Sequence, residues 1–321
     1  KFEIAGPDAL AFLQRLACAG LDVAPGRAVY TPLLNDRGGI EADVTILRRA
    51  ADRFRLTSGA ATRWRDGAWL RRHARGLDVS VTDMTESEAV IGVMGAGARG
   101  LLAGISGDDW RDFAFSTGRP VTVAGEGCVA TRVSFVGELG WELTIGLEGA
   151  GRLLDALIAA GAEPMGHLAL DACRIEKGFR HMGHDLGPDI SPLEAGLGFA
   201  VDWSKDFIGK PALEALRAAG IRRRLVLLEV EGHPLILHDE PIRSAGEVVG
   251  LTTSGARGAR TGLTLALGLI GIAPGETLAE TCARRFEIDV AGRNYRARAL
   301  ARPPHDPSGE RMKASPPKRR F

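Results

Sequence analysis

The chain has 321 residues, 45% of them hydrophobic and 42 of them glycine, with a formal net charge of +1. That length carries a packed core in more than one domain. The balanced charge excludes an overall electrostatic bias toward nucleic acid or anionic membrane, and no apolar run approaches the roughly 20 residues of a spanning helix.

The chain opens on Lys1 with "KFEIAG", which already alternates like a strand, Phe2 and Ile4 sharing one face. Without an initiator methionine or a signal peptide, this start reads as a fragment whose upstream part has been removed. Cys18, Cys128, Cys173 and Cys282 are scattered without a C-x-x-C pair, the usage of reduced thiols in an intracellular protein.

In the stretch "VYTPLLNDRGGIEADVTI" (29–46), Asn35, Asp36, Gly38 and Gly39 predict a tight turn between two strands. Past the turn, Ile40, Ala42, Val44 and Ile46 share one face, and Glu41, Asp43 and Thr45 the other. On the pattern alone Asp43 is either an exposed strand carboxylate or a functional acid near the sheet centre.

Residues 90–105 hold a G-x-G-x-x-G at Gly95, Gly97 and Gly100, after a strand and before a short helix predicted over 97–106. In that context the motif often cradles a dinucleotide. An internal repeat argues otherwise. Residues 4–17 and 93–106 share Gly6/Gly95, Ala9/Ala98, Leu13/Leu102 and Leu16/Ile105, whereas Asp8 and Ala11 stand opposite Gly97 and Gly100. "FRLTSG" (54–59) and "WELTIG" (141–146) form a second pair, each followed by a predicted helix (60–75 and 149–160). One β-α-β-type unit is therefore duplicated, and only the corner glycine has a shared structural role.

In "RVSFVGELGWELTI" (132–145), Trp141, Leu143 and Ile145 share a face and Glu142 points to the other. Residues 164–180 predict a helix on which Asp171 and Arg174 allow an i,i+3 pair, ordinarily surface decoration. His181 and His184 have zinc-like spacing, but Gly183 breaks the helix and no third ligand follows, so no metal is expected. No G-x-S-x-G nucleophile elbow occurs. From Arg222 alternating strands separated by turns predict a small antiparallel barrel, and the proline-rich basic end predicts an extended tail.

Taken together, "YTPLLNDRGGIEAD", "SFVGELGWEL", "ALDACRIEKGFRHMGHD", "SPLEAGLGFAVDWSKDFIGKPAL" and "VGLTTSGARG...LALGLI", in this order from Lys1 to about Pro307, resemble the tetrahydrofolate-dependent aminomethyltransferase (glycine cleavage T-protein) family. The wording is most similar to the C-terminal folate domain of dimethylglycine and sarcosine dehydrogenases. The resemblance implies an α+β fold of three lobes: a folate-binding domain over 1–215, with related lobes at about 1–85 and 86–215, a β-barrel over 216–303, and a flexible basic tail over 304–321. It implies tetrahydrofolate as cofactor, with FAD confined to an upstream part or subunit. The implied function is capture of the carbon of an N-methyl amine, as iminium or formaldehyde, to give 5,10-methylenetetrahydrofolate. The other readings are a T-protein-type aminomethyltransferase, a folate-binding module without catalysis, and a folate-dependent S- or O-demethylase. The expected partners are folate, a small methylated amine and an FAD-dependent oxidoreductase, with no nucleic acid or membrane. The expected compartment is the cytoplasm, or the mitochondrial matrix in a eukaryote.

By the same resemblance Asp43 is the catalytic carboxylate, stabilising the cationic folate nitrogen or removing its proton, and Tyr30, Phe135, Glu142, Arg174 and Met182 contact folate. Three positions depart from the family pattern. Ala42 replaces a second acid, Phe135 a tyrosine, and Met182 an aromatic residue flanking the pterin.

Overall fold

The computed structural model describes residues 1–314. The chain first forms β1 (Phe2–Ala5), α1 (Ala9–Leu16), β2 (Ala28–Leu34), β3 (Ile40–Ala50), β4 (Arg53–Ser58), α2 (Arg63–His73) and β5 (Ser80–Asp83). These strands make one antiparallel sheet in the order β2-β3-β4-β1-β5. Then follow β6 (Glu88–Met94), α3 (Ala98–Gly104), β7 (Gly118–Val123), β8 (Glu126–Thr131), β9 (Gly140–Gly146) and α4 (Leu147–Ala159), with a second antiparallel sheet ordered β6-β9-β8-β7.

The repeat is visible in both. β1 and β6 each turn a corner into a short helix, and Gly6 and Gly95 at those corners share a φ of 136°, a region only glycine occupies comfortably. β1 pairs antiparallel with β4 as β6 does with β9. No parallel crossover follows Gly95, so the parallel strands of a dinucleotide fold are missing from this lobe.

Each sheet buries one face under its own helices. The first packs Phe2, Ile4, Val44, Ile46 and Phe54 against Phe12 and Leu13. The second packs Trp141, Leu143 and Ile145 against Leu153 and Leu157, with Trp110 edge-on to Trp141 at 5.3 Å. The period-two alternation of β3 and β9 leaves Asp43 and Glu142 on the opposite faces. Those faces look across a central cavity. The Arg27–Thr117 bridge and the Arg55–Glu88 ion pair tie the two sheets together.

α5 (His167–Glu176) and α6 (Lys210–Ala219) flank the loop that leads to the barrel. α5 starts later than Pro164, because an extended Gly166 precedes its first turn. The stretch 182–213, expected in the second lobe, packs instead on the first: Met182, Leu186, Ile190, Leu197, Phe207 and Leu213 cluster with Cys18, Leu34 and Ile40. β10 (Arg223–Val230), β11 (Pro241–Ser244), β12 (Glu247–Arg257), β13 (Thr264–Gly271), α7 (Leu278–Ala283), β14 (Phe286–Val290) and β15 (Arg293–Leu300) complete the chain, and their strands close as β10-β13-β12-β11-β14-β15. "RRLVLLEV" is apolar on both faces for a reason. Val226 and Leu228 fill the barrel, while Leu225 and Leu227 meet Ile175 of α5.

The expected flexible tail is corrected over 304–314. Lys177 pairs with Asp306, His305 Nε2 lies 3.1 Å from the buried Glu138, and Ala314 O accepts from Arg99 and Arg132. Residues 315–321 lie outside the described residues. All four cysteines are free thiols, and among the described residues no helix is long and apolar enough to cross a membrane.

The β2–β3 turn rests on Asn35, whose Oδ1 accepts from the Arg37 and Gly39 amides while Nδ2 donates to Glu41 and Pro188 O. A Cβ at Gly39 would stand 1.9 Å from Pro188 O. Gly39→Ala is therefore expected to lower stability by about 1–3 kcal/mol. Gly97→Ala, with no atom within 4 Å of the new methyl, should be near neutral. Denaturant unfolding of the two variants reads the contrast.

Candidate functional site

The cavity between the two sheets and the barrel encloses about 2250 Å³ with the grooves that join it. Tyr30, Asp43, Phe135, Glu142 and Met182 all line it. Register explains the first two. Tyr30 pairs with Thr45, and Asp43 lies two residues back on the same face, which makes Tyr30 and Asp43 diagonal neighbours. The Tyr30 hydroxyl faces the Asp43 carboxylate, and its own pKa is raised by burial and by that carboxylate. Asp43 Oδ1 is buried without a hydrogen-bond partner. Burial pushes Asp43 up to about 6, against the pull of Tyr30 and of Arg180.

Glu142 sits on β9 between Gly92 and Thr131. Burial raises its pKa, with no cation acting on it. It lines the main cavity and also a second, smaller one of about 500 Å³ between the sheets. A desolvated carboxylate without an ion-pair partner is costly, and neither Asp43 nor Glu142 makes an ion pair among the described residues.

The flat parts of the wall are aromatic. Phe135 stacks on Phe179 with centroids 6.2 Å apart and planes 16° apart. Tyr30 stacks on Phe199 at 6.3 Å, and Phe199 is itself 77% exposed. Phe135 thus keeps a stacking ring where the family pattern has a tyrosine, and Met182 is a buried side chain of the wall. Ala42 lies in the first lobe's core on the face away from Asp43, so the missing second acid takes nothing from the cavity.

Arg174 is the correction. The i,i+3 pair exists, with Nε 2.9 Å from Asp171 Oδ1, but the side chain is not surface decoration, nor is it among the residues that line the cavity. Nη1 donates to Asp185 Oδ2 at 2.6 Å and to Phe179 O at 3.2 Å, and Nη2 to Ser254 Oγ at 2.8 Å. Asp185, fully buried, also accepts from Thr253 Oγ1, Ser254 Oγ and the His181 amide. This network pins the loop 179–185 between α5 and the barrel. Removing one partner strands the other charge in the interior.

That loop carries Phe179, Arg180 and His181 to the wall; the sequence pattern singled out His181 only for a metal and the other two not at all. The signal was a charged residue beside an aromatic one inside "GFRHM", flanked by Gly178 and Gly183. Arg180 Nε donates to Ala195 O at 3.0 Å and Nη1 to Gly178 O at 2.7 Å. His181 and His184 do not converge on a shared ligand position; their rings meet edge to face, and His184 turns to His238.

The comparisons fit this architecture. Residues 1–205 match the GCVT N-terminal domain, and residues 223–306 the glycine cleavage T-protein C-terminal barrel domain. The chain belongs to this aminomethyltransferase family. It is 43% identical over 98% of its length to 4-methylaminobutanoate oxidase (formaldehyde-forming) of Paenarthrobacter nicotinovorans, and 34% identical over 98% to mitochondrial sarcosine dehydrogenase of Mus musculus. It spans only 38% and 37% of those proteins. It is also 33% identical over 94% of its length to an aminomethyltransferase of Picosynechococcus, of which it spans 83%. The crystal structure of the glycine cleavage system aminomethyltransferase T from Bartonella henselae superposes with a TM-score of 0.85 over 95% of this chain and 84% of that one, at 25% identity.

Two outcomes follow from the site's electrostatics. Arg174→Met leaves Asp185 buried and unpaired and is expected to cost about 3–5 kcal/mol in denaturant unfolding. Asp43 behaves in the opposite sense. Its native pKa lies above the unfolded value, so it lowers stability progressively as pH rises from about 4 to about 6, and fully above that. Asp43→Asn is therefore expected to be more stable than the parent at pH 8, by up to about 3 kcal/mol. The difference should disappear near pH 4 in pH-resolved thermal melts.

Proposed function

We propose that this chain is a tetrahydrofolate-dependent one-carbon transfer unit acting on the product of N-methyl amine oxidation, in partnership with an FAD-dependent oxidoreductase. The observation that carries the reading is the pair of half-buried, desolvated carboxylates, Asp43 and Glu142, that face one cavity with no ion-pair partner on either among the described residues. The wall fits a pterin. Glu142 presents a carboxylate able to accept two parallel N–H bonds from a pterin edge, a charge-assisted fork. The Phe135–Phe179 pair offers a stacking surface, and Met182 closes the apolar side.

When bound, tetrahydrofolate supplies the nitrogens that take up the one-carbon unit as 5,10-methylenetetrahydrofolate. Asp43 supplies the base. With a pKa of about 6 it is ionised at neutral pH yet close enough to that pH to accept a proton and return it. With an iminium donor, Asp43 would take up a proton and hand it on to the departing amine, and so end the cycle ionised. Tyr30, on the same face, pulls the Asp43 pKa down against the push of burial.

A second reading is a glycine cleavage T-protein-type aminomethyltransferase, favoured by the 83% span of the Picosynechococcus protein. Both readings use the same folate pocket. Turnover with formaldehyde or an amine-derived iminium, against turnover with an aminomethyl thioether, separates them.

Glu142→Gln presents an NH₂ toward a donor and loses one hydrogen bond to a charged acceptor, about 1.5–3 kcal/mol. Tetrahydrofolate affinity, read by calorimetry, is expected to fall roughly 10- to 100-fold, about 1.4–2.8 kcal/mol. Asp43→Asn should keep affinity within a few-fold while product formation drops by about 10²-fold or more. Unchanged affinity in the Glu142 variant would return that residue to a solvated strand position.

A further inference from the structure

The two copies of the duplicated unit differ at one sheet edge. In the first copy β1 is covered on both sides, by β4 and by the antiparallel β5. In the second, β6 pairs only with β9, and residues 160–166, which follow α4, reach α5 without forming a strand. The ladder shows which groups this leaves free. Leu147 N donates to Ser87 O and Gly95 N to Leu139 O, so alternate residues from Ser87 to Gly95 bond to β9. Val90, Gly92 and Met94 turn their amides and carbonyls the other way, and these have no hydrogen-bond partner among the described residues. By the Gly6/Gly95 alignment their counterparts are Lys1, Glu3 and Ala5, the residues of β1 that face β5; Lys1 O accepts from Met84 N. Exposed edges are ordinarily blunted by proline, lysine or a bulge, and "EAVIGVM" has none of these. The edge lies in the cavity wall, in a groove whose other side is Leu154, Ile158 and Met165, each between 43% and 52% exposed.

We infer that this edge receives one extended polypeptide segment of the oxidoreductase partner, laid antiparallel on β6 as β5 lies on β1. The identity of the partner rests on the reading above; the edge itself does not. Direction and reach support the assignment. Lys1 Nζ donates to Glu88 O and the Lys1 amine to Thr85 Oγ1, so the amine end of the chain lies at the start of β6. A segment antiparallel to β6 runs from Met94 toward Glu88 and finishes beside Lys1, where a fused partner would be joined. Two of the longer relatives match this chain over only 38% and 37% of their own length. The side chains follow from the repeat as well. Val79 and Val81, on either side of Ser80 in the first copy, pack on that lobe's core. Their counterparts would meet Leu154 and Ile158, so the incoming segment carries apolar residues at alternate positions. Its main chain supplies carbonyls for the Val90 and Gly92 amides and amides for their carbonyls. A second copy does not fit: its own β6 is recessed in the same groove, and two recessed edges do not meet.

The test attaches the first copy's own strand sequence, "VSVTD" (79–83), to Lys1 of the whole chain through a Gly-Ser linker of about four residues, a hairpin length. The tether holds that segment near the edge at an effective concentration on the order of millimolar. Residue-resolved amide hydrogen exchange in the parent is expected to be fast at Val90 and Gly92 and slow at Ile91 and Val93. In the tethered chain Val90 and Gly92 should slow about 10-fold or more, with Ile91 and Val93 unchanged. The same tether with its second valine replaced by proline, which cannot donate to a ladder, should slow neither. No slowing in the tethered chain, or equal slowing by the proline tether, overturns the inference. So does slowing in the parent on adding tetrahydrofolate, which would make the edge a folate contact. Slowing in the parent that grows with protein concentration would give the edge to a second copy and overturns it too. In the full-length Paenarthrobacter nicotinovorans oxidase, the strand aligned with β6 should be protected at successive amides; protection at alternate amides only overturns the oxidoreductase as the source. Failure of tetrahydrofolate to bind the parent overturns the one-carbon reading instead, and exchange at Val90 and Gly92 still reports on the edge.

Discussion

The guanidinium of Arg174 and the carboxylate of Asp185, 2.6 Å apart and away from solvent, hold three parts of the molecule at one point. Arg174 comes from α5, Asp185 from the loop after it, and Ser254 and Thr253 from the barrel strand β12. Every residue that the loop delivers to the cavity hangs from this anchor, Phe179 through its own carbonyl and His181 through its amide. Isolated, such a pair scarcely repays its desolvation. Its contribution is geometric: the carboxylate accepts from four groups on three segments, so a displaced loop leaves charges and hydroxyls unsatisfied together.

With the loop fixed, the duplicated sheets supply the rest. Each copy spends its apolar face on its own helices, and the two remaining faces look toward one another. The polar residues of those faces, Asp43 and Thr45 on one side and Glu142 on the other, therefore become the walls of an internal space rather than a solvated surface. The repeat is close in backbone and loose in use. Gly6 and Gly95 share one φ, yet a Cβ at Gly6 would collide with Asp78 O at 2.4 Å whereas Gly95 has open space and lines the cavity. The first copy's corner is packed; the second copy's corner is part of the wall.

Much of this was legible in the residues. Strict alternation in "IEADVTI" and "GWELTI" placed Asp43 and Glu142 opposite the core, and the Asn35–Gly39 turn fixed the register that puts Tyr30 beside Asp43. The repeat exposed the G-x-G-x-x-G as a corner. Arg174 was misjudged because spacing along a helix reveals its i,i+3 neighbour and nothing about Asp185 or Ser254, eleven and eighty residues away. Arg180 left only the weak signal of a charge beside an aromatic ring, because its tethers are carbonyl oxygens, which carry no sequence signature. The order of residues 304–314 likewise depends on Glu138, Lys177 and two arginines of the second lobe, contacts made across more than a hundred residues.

The packing of 182–213 back onto the first lobe has a consequence for how the chain is made. Leu34 and Ile40 leave the ribosome well before the residues that cover them, from Met182 to Leu213, which follow only after the whole second lobe has been synthesised. At the usual pace of translation that delay is on the order of ten seconds or more. Throughout it the nascent first lobe shows an apolar flank on the side that will later border the cavity. Vectorial synthesis thus leaves a window in which the half-built protein depends on chaperones or on speed, and slow codons placed between the two lobes would widen it.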